Sequence, residues 1–235
     1  MPSYPRKHQL TGSLMYHAYN RSNGGATIFH DDADYRRFMD LVQRYSSSFS
    51  MKIYHWVIMP THFHLLFELT DPRRISKLLA GLTVVYTRYH HARYATHGFL
   101  WQGRFKLQPV QKERYLIACG RYIERNPVEA GLCAEADEYS YSSARFYTHG
   151  IADGITVEDP TYANFGSHTI SRQERYRNFL CESTREEEDV FGKMEARAGN
   201  IAFIERLKRT NGRPLPQGKG KPKRDFLDSI ACPPR

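Results

Sequence analysis

The sequence predicts an α+β domain on an antiparallel sheet, because four β-prone segments and two amphipathic helices follow in the order β-α-β-β-α-β. The middle two strands read as a hairpin, and each helix shows an apolar stripe. This order is typical of a ferredoxin-like sheet with two helices on one face. A third helix and a C-terminal helical extension follow.

The first strand is predicted over residues 15–20, an aromatic run that ends in a turn signal at 21–25. Acidic residues at 31–34 supply the cap and first turn of helix one, whose apolar residues recur at helical spacing up to residue 45. The segments KIYHWVIM and HFHLLFEL, separated by Pro60 and Thr61, predict the hairpin of strands two and three.

Helix two is predicted from residue 75 to about 96, where His97 and Gly98 follow. Residues 104–111 predict strand four, with Pro109 at an edge or end position. Helix three runs from about residue 112 to 125 and is expected to stop near Asn126 and Pro127. We interpret Asn126 as a helix terminator rather than a site residue.

The chain of 235 residues divides by composition into three parts. Residues 1–150 form the sheet domain, and residues 151–211 form a helical extension with a loop-like start. Residues 212–235 are rich in Gly, Pro and Lys, so we expect a basic flexible tail.

Composition excludes several protein classes. With 40% hydrophobic, 25% charged and 13% aromatic residues, the chain is neither wholly disordered nor collagen-like. No apolar run approaches the roughly 20 residues that span a bilayer, and no secretion signal is visible, so we expect a cytoplasmic protein with no membrane partner. The four cysteines form no CxxC pair and are expected to be reduced thiols.

The net charge of +9 favours a polyanionic partner. Residues 1–150 hold 19 basic and 12 acidic side chains, and residues 212–235 hold 6 and 2. Nucleic acid is the first candidate for such a partner, although charge alone does not separate DNA from RNA or from an acidic membrane surface.

His62 and His64 are the first candidate metal ligands. Alternate residues of a strand point to the same face about 7 Å apart, close enough to share one ion. The alternative is a pair of sheet-surface histidines without a ligand role. His17 and His55, lone histidines on predicted strands, are interpreted as structural.

Helix three carries the candidate nucleophile. Leu116, Gly120 and Ile123 form a stripe that can pack down, whereas Tyr115, Cys119 and Tyr122 fall on a neighbouring face that we expect to be exposed. A phenol beside a metal is a plausible nucleophile, although most tyrosines are semi-buried structural residues.

Three strings identify a family resemblance. HWVIMPTHFHLLFEL, LWQGRFK and ERYLIACGRYIERNPVEAGL, followed by EYSYSS, are similar to successive blocks of the REP-associated tyrosine transposases. These belong with the single-tyrosine insertion-sequence transposases to the HUH (His-hydrophobic-His) nuclease superfamily. The similarity runs from about residue 12 to 144 in the same order.

This resemblance implies a nuclease that cuts and joins single-stranded DNA near an imperfect hairpin. It implies that His62 and His64 bind a divalent metal ion and that Tyr115 becomes linked to the 5′-phosphate. The metal is Mg²⁺ or Mn²⁺, and ligand softness favours Mn²⁺. Relatives of this type tend to act as monomers, and dimers occur in the insertion-sequence group.

One position departs from the related pattern. Insertion-sequence relatives place a glutamine ligand one turn after the tyrosine, and one turn after Tyr115 this chain has Cys119. A thiol is a poor ligand for Mg²⁺, so water, another residue or an impaired site are the open alternatives.

Phosphate contacts are expected from basic residues near the site and from the N-terminal arm. These are Arg6, Lys7, Arg104, Lys106, Arg114 and Arg121.

Two other functions stay open from the sequence. A non-catalytic protein of the same fold would bind hairpin DNA or RNA without cutting it. A metal-dependent hydrolase would use His62 and His64 to activate water without a tyrosine-linked intermediate.

Overall fold

The computed structural model describes residues 14–182, 187–192, 194 and 198–210. The strands are β1 (Met15–Arg21), β2 (Met51–Met59), β3 (His62–Leu69) and β4 (Lys106–Val110). The helices are α1 (Asp32–Phe49), α2 (Ile75–Tyr94), α3 (Arg114–Glu129), α4 (Ala144–His149), α5 (Thr169–Cys181) and α6 (Ile201–Thr210). The predicted tail at 212–235 and the N-terminal arm with Arg6 and Lys7 lie outside the described residues.

The four strands form one antiparallel sheet in the order β2-β3-β1-β4. Together with the β-α-β-β-α-β chain order, this arrangement confirms the predicted ferredoxin-like fold. β1 lies at the centre, where Tyr19 is paired with His64 of β3 on one side and with Lys106 of β4 on the other.

The two faces of the sheet are covered by different helices. Phe63, Leu65 and Phe67 point to the face that α1 and α2 cover, as the strand alternation predicts. Leu66 points to the opposite face and packs with residues of α3. His62 and His64 share this second face with Leu66, so β3 directs both histidines towards α3.

Helix α1 begins at the position that the acidic residues 31–34 predicted for its cap and first turn. The side chain of Asp31 accepts hydrogen bonds from the backbone N–H groups of Ala33 and Asp34, which satisfies two donors of the first turn. The helix ends at Ser50 in the left-handed conformation, with φ of 52°.

Helix α3 does not stop at Asn126, as the sequence analysis expected, but continues to Glu129 with Pro127 inside it. Proline lacks the N–H that would bond to the carbonyl of Ile123 four residues earlier. The side chain of Asn126 replaces that donor, since its Nδ2 lies 3.3 Å from the Ile123 carbonyl and 2.8 Å from the Tyr122 carbonyl. Asn126 therefore continues the helix rather than ending it.

The C-terminal extension packs on α3. Tyr176 and Phe179 of α5 form an apolar cluster with Ile117 of α3 and Tyr147 of α4. The division of the chain at residue 150 stays a prediction.

None of the helices in the described ranges combines the length and the apolar composition needed to cross a membrane.

Candidate active site

The centre of the site is the pair His62 and His64 on β3. Their ring centroids are 5.3 Å apart and the rings are nearly perpendicular. His64 is buried and His62 is partly exposed at the end of the strand. The strand thus brings both imidazoles to one opening, as the His-x-His spacing predicted.

A third histidine supports His64 from the neighbouring strand. Nε2 of His17 lies 2.8 Å from Nδ1 of His64, and both side chains are buried. A hydrogen bond at Nδ1 leaves Nε2 of His64 as the nitrogen that can face a ligand. Thr61 occupies Nδ1 of His62 in the same way, with its Oγ1 at 3.0 Å.

Tyr122 is the tyrosine that α3 brings to the histidines. Its ring centroid lies 5.7 Å from that of His64 and 6.1 Å from that of His17, edge on in both cases. Phe191, from the helical turn Glu188–Gly192, packs on it at 5.8 Å. Tyr122 is only partly buried.

Asn126 follows Tyr122 by one helical turn, and its side chain lies near enough to His62 to raise the pKa of that ring. Since Nδ2 of Asn126 donates to the carbonyl of Tyr122, the remaining acceptor of this amide, Oδ1, is the atom that faces the histidine. Two imidazoles and one side-chain amide therefore lie close together on this face of the sheet.

This donor set fits a divalent metal ion. Burial lowers the pKa of His62 to about 4, against the effect of its hydrogen bond to Asn126, and the charge of Arg21 lowers it further. Burial also lowers the pKa of His64 well below its usual value, and the neighbouring His17 and His62 add to the effect. Both rings are therefore neutral at pH 7, as a metal ligand must be.

The chemistry of the donors favours Mn²⁺ over Mg²⁺, because imidazole nitrogen is a poor ligand for Mg²⁺. In the described part of the chain no three His, Cys, Asp or Glu side chains are grouped to hold a metal ion. The side-chain amide of Asn126 is the further candidate donor beside the two histidines.

Tyr115 does not lie on an exposed face, and that expectation is wrong. Only 2% of its surface is exposed, within the apolar cluster of Leu66, Val110 and Leu116. It also precedes Tyr122 by two helical turns, about 10 Å along the axis. The exposure was misjudged because α3 is covered by the sheet on one side and by the extension on the other.

Cys119 is likewise fully buried in the same cluster. Burial raises the pKa of its thiol well above the usual value, and the carboxylates of Glu187 and Asp159 add to the rise. A protonated core thiol is not a metal ligand. The structure therefore gives Cys119 a packing role rather than the doubtful ligand position.

The expected DNA-contacting residues divide into two groups. Arg104, Lys106 and Arg114 are exposed. Arg121 is 1% exposed, forms an ion pair with Glu187 and lies over the ring of Phe179. This burial removes its guanidinium from the surface, so the expectation of a DNA contact from Arg121 is not met.

A buried polar network fixes α3 behind the site. His55 of β2 bonds through Nδ1 to Glu124 at 2.8 Å and through Nε2 to Asp159 at 3.0 Å. Ser143 and Tyr176 also donate to Glu124. Burial alone would lower the pKa of His55, but the two carboxylates raise it to about 9. The interpretation of His55 as structural agrees with this network.

Sequence reasoning did not predict that Tyr122, Asn126 and His17 lie beside the two histidines of β3. A signal for the first two was present, because the related pattern has a tyrosine with an amide four residues later, and Tyr122 and Asn126 have that spacing. No comparable signal marked His17, whose contact with His64 depends on strand pairing.

Comparison with known proteins relates the sequence to a transposase family. Residues 11–126 match the model of the family described as IS200-like transposases. No curated protein shows significant similarity to the chain. A solved structure of a REP-associated tyrosine transposase bound to a REP hairpin is 18% identical, with a TM-score of 0.53 over 68% of this chain and 93% of that one.

A second solved structure, of a candidate transposase from Deinococcus radiodurans R1, is 16% identical with a TM-score of 0.37. It covers 48% of this chain and 88% of that one. The likeness to the first structure concerns the fold.

Proposed function

The chain belongs, through residues 11–126, to the IS200-like transposase family, and on that premise we propose that it cuts and joins single-stranded DNA through a tyrosine-linked intermediate. Tyr122 is the nucleophile, and His62, His64 and Asn126 hold a divalent metal ion. The observation that carries this proposal is the convergence of Tyr122 and Asn126, one turn apart on α3, on the two histidines of β3.

Three features favour Tyr122 over Tyr115 as the nucleophile. Tyr122 lies beside His64 and His17, whereas Tyr115 packs two turns away. Tyr122 is partly exposed and Tyr115 is buried. An amide side chain, Asn126, follows Tyr122 by one turn, which removes the need for a ligand at Cys119.

The chemistry follows from this arrangement. A divalent cation held by His62, His64 and Asn126 would polarise the scissile phosphate and would stabilise the departing 3′-oxygen. The oxygen of Tyr122 attacks the phosphorus, so a tyrosine–phosphate bond forms as the bond from phosphorus to the 3′-oxygen breaks. The proton lost by the phenol is balanced by the one that the 3′-oxygen takes up.

The intermediate keeps a phosphodiester linkage, so cleavage is reversible. A 3′-hydroxyl from another strand can attack the same phosphorus and release Tyr122, which joins two strands without an external energy source. His62 and His64 stay neutral throughout, since burial lowers the pKa of both.

The proposed substrate is single-stranded DNA with a hairpin. The solved relative of 18% identity is bound to a REP hairpin, and this chain has the same fold over 68% of its length. Its net charge of +9 suits a nucleic-acid ligand. Because Tyr122 lies against the histidines of its own chain, the site is complete in one copy, and we propose that the protein acts as a monomer.

The test mixes the protein with end-labelled hairpin oligonucleotides from its genomic neighbourhood and Mn²⁺, followed by a denaturing gel. We expect a covalent protein–DNA band that disappears with a chelator and in the double variant His62→Ala, His64→Ala. Cleavage without a covalent band would instead identify a metal-dependent hydrolase. Hairpin binding without cleavage under any metal would identify a non-catalytic binding protein.

A further inference from the structure

A polar cleft of about 410 Å³ opens beside the histidines, between the end of β1 and the loop before β4. Its walls are formed by Tyr19, Asn20, Arg21, Gln102, Arg104 and Lys106. We propose that this cleft holds one unpaired nucleotide adjoining the phosphate that is cut. The base lies against Tyr19, and its phosphate lies among the three cations. This inference rests on the proposed function for the place of the cut.

The cleft is continuous with the active site through Tyr19. The ring of Tyr19 lies 4.6 Å from the ring of His64 and 5.7 Å from that of His62. In the sheet register, His64, Tyr19 and Lys106 form one row across three strands. Two strand spacings, about 10 Å, therefore separate the backbone at His64 from the backbone at Lys106.

The walls of the cleft are held in place before any ligand binds. The backbone N–H of Gln102 donates to the carbonyl of Arg21 at 2.9 Å, and Nε of Arg21 donates to the side chain of Gln102. Trp101, next in the loop, donates from its indole to Thr87 at 3.0 Å. A site whose walls are already ordered loses little conformational entropy on binding.

The charge of the cleft favours a phosphodiester. Arg21, Arg104 and Lys106 line it, and no acidic side chain is among the described lining residues. Arginine and lysine side chains position nucleic acids through phosphate oxygens.

The aromatic wall favours a nucleotide over a simple anion. Tyr19 is partly exposed, and Nζ of Lys106 lies 6.0 Å from its ring centroid. Bases of single strands stack on such rings, and the cleft volume lies in the range that holds one small ligand. A paired base keeps its faces inside the duplex, so the cleft selects an unpaired one.

The test measures binding by fluorescence anisotropy in a chelator, so that no cleavage is needed. The probes are a labelled dT 12-mer and a 12-mer of abasic units with the same phosphates. Tyr19→Leu removes the ring but keeps apolar volume, and we expect it to weaken binding of the dT strand about fivefold or more. The affinity of Tyr19→Leu for the abasic strand should change less than twofold. Tyr19→Phe should bind both strands as the wild type does.

Lys106→Gln should weaken the binding of both strands. It should also lower the slope of log affinity against log salt concentration by about 0.7, the contribution of one single-strand phosphate contact. Tyr45→Leu on α1 and Lys77→Gln on α2 are matched controls on the opposite face of the sheet, and both should bind normally. Circular dichroism of each variant checks its fold.

The nucleotide cleft is contradicted if Tyr19→Leu weakens the binding of both strands equally or of neither strand. It is also contradicted if Lys106→Gln leaves the salt dependence of binding unchanged. These results are independent of the tyrosine mechanism. If no covalent band forms but Tyr19→Leu weakens binding of the dT strand alone, the cleft is supported and the proposed function is contradicted. If a covalent band forms but Tyr19→Leu causes no dT-specific loss, the proposed function is supported and the cleft is contradicted.

Discussion

The ring of Tyr122 stands edge on to the ring of His64, with 5.7 Å between their centroids. This contact joins α3 to the central strands of the sheet at the point where the second histidine, His62, reaches the surface. Asn126 lies one turn further along α3, and its side chain acts on the pKa of His62. The position of α3 on the sheet therefore decides whether the proposed nucleophile and the proposed metal donors lie side by side.

Replacement of Asn126 should weaken metal binding. Asn126→Ala removes one of the three proposed donors, and we expect Mn²⁺ affinity and cleavage rate to fall at least about tenfold. The variant also loses the bond to the Ile123 carbonyl, at a stability cost of about 1 kcal/mol. Isothermal titration with Mn²⁺ measures the affinity directly.

Asn126→Asp keeps an oxygen donor and should recover most of the Mn²⁺ affinity. Cys119→Ala is the matched control one turn before Ile123, because a buried thiol takes no part in metal binding. A normal Mn²⁺ affinity in Asn126→Ala would contradict Asn126 as the third ligand. A lost Mn²⁺ affinity in Cys119→Ala would indicate the cysteine as that ligand instead.

His17 should control metal affinity without touching the metal. Its Nε2 holds Nδ1 of His64 at 2.8 Å, an outer hydrogen bond of the kind that orients a ligating imidazole. We expect His17→Leu to lower Mn²⁺ affinity about 10–100-fold while the helical content stays unchanged. Titration with Mn²⁺ and circular dichroism measure the two quantities, and an unaltered affinity would mean that His17 only fills space.

Gly120 should be intolerant of any side chain. A Cβ at this position would lie 2.6 Å from Nε2 of His55, a ring fixed by two carboxylates. We expect Gly120→Ala to lower the free energy of unfolding by about 1–3 kcal/mol, measured by urea denaturation. Gly103→Ala is the control, since nothing lies within 4 Å of a Cβ there. Equal stability of the two variants would contradict the close packing of α3 on β2.

Stability should fall as pH rises from about 7 to 9. The pKa of His55 is about 9 in the folded protein, against 6.5 as its ordinary value, because Glu124 and Asp159 overcome the effect of burial. The folded state thus keeps a proton that the unfolded chain releases above pH 6.5, so this stabilisation is complete below pH 6.5 and is lost through pH 9. A shift of this size corresponds to roughly 3 kcal/mol.

Urea denaturation across this pH range measures the effect. His55→Gln should flatten the pH dependence between 7 and 9, because the variant has no proton to lose at that position. A wild-type protein whose unfolding free energy is constant over the range would contradict a charged His55.

Local patterns in the sequence predicted the sheet and the helices that cover its first face. Alternation in HFHLLFEL placed His62 and His64 on one face, and the structure has them there. The acidic residues before α1 predicted its start at the cap of Asp31. Such features depend on short-range chemistry, which is readable from neighbouring residues.

The packing of α3 on the second face of the sheet could not be predicted from such local patterns. Whether Tyr115 or Tyr122 meets the histidines depends on how far α3 slides along the sheet, and both residues lie on the same stripe of the helix. The exposure of Arg121 depended on Glu187, 66 residues later in the chain. Proline at 127 suggested a helix end, but the side chain of Asn126 compensates for the missing donor.

The most direct measurement is to identify the tyrosine that carries DNA. The covalent product, digested with nuclease and trypsin, yields one peptide that begins at Tyr122 and ends at Arg125, and another that begins at Tyr115 and ends at Arg121. We expect mass spectrometry to find the nucleotide on the first peptide, and Tyr122→Phe to abolish the covalent band while Tyr115→Phe retains it. A nucleotide on Tyr115, with the band retained in Tyr122→Phe, would contradict the assignment of Tyr122 as the nucleophile.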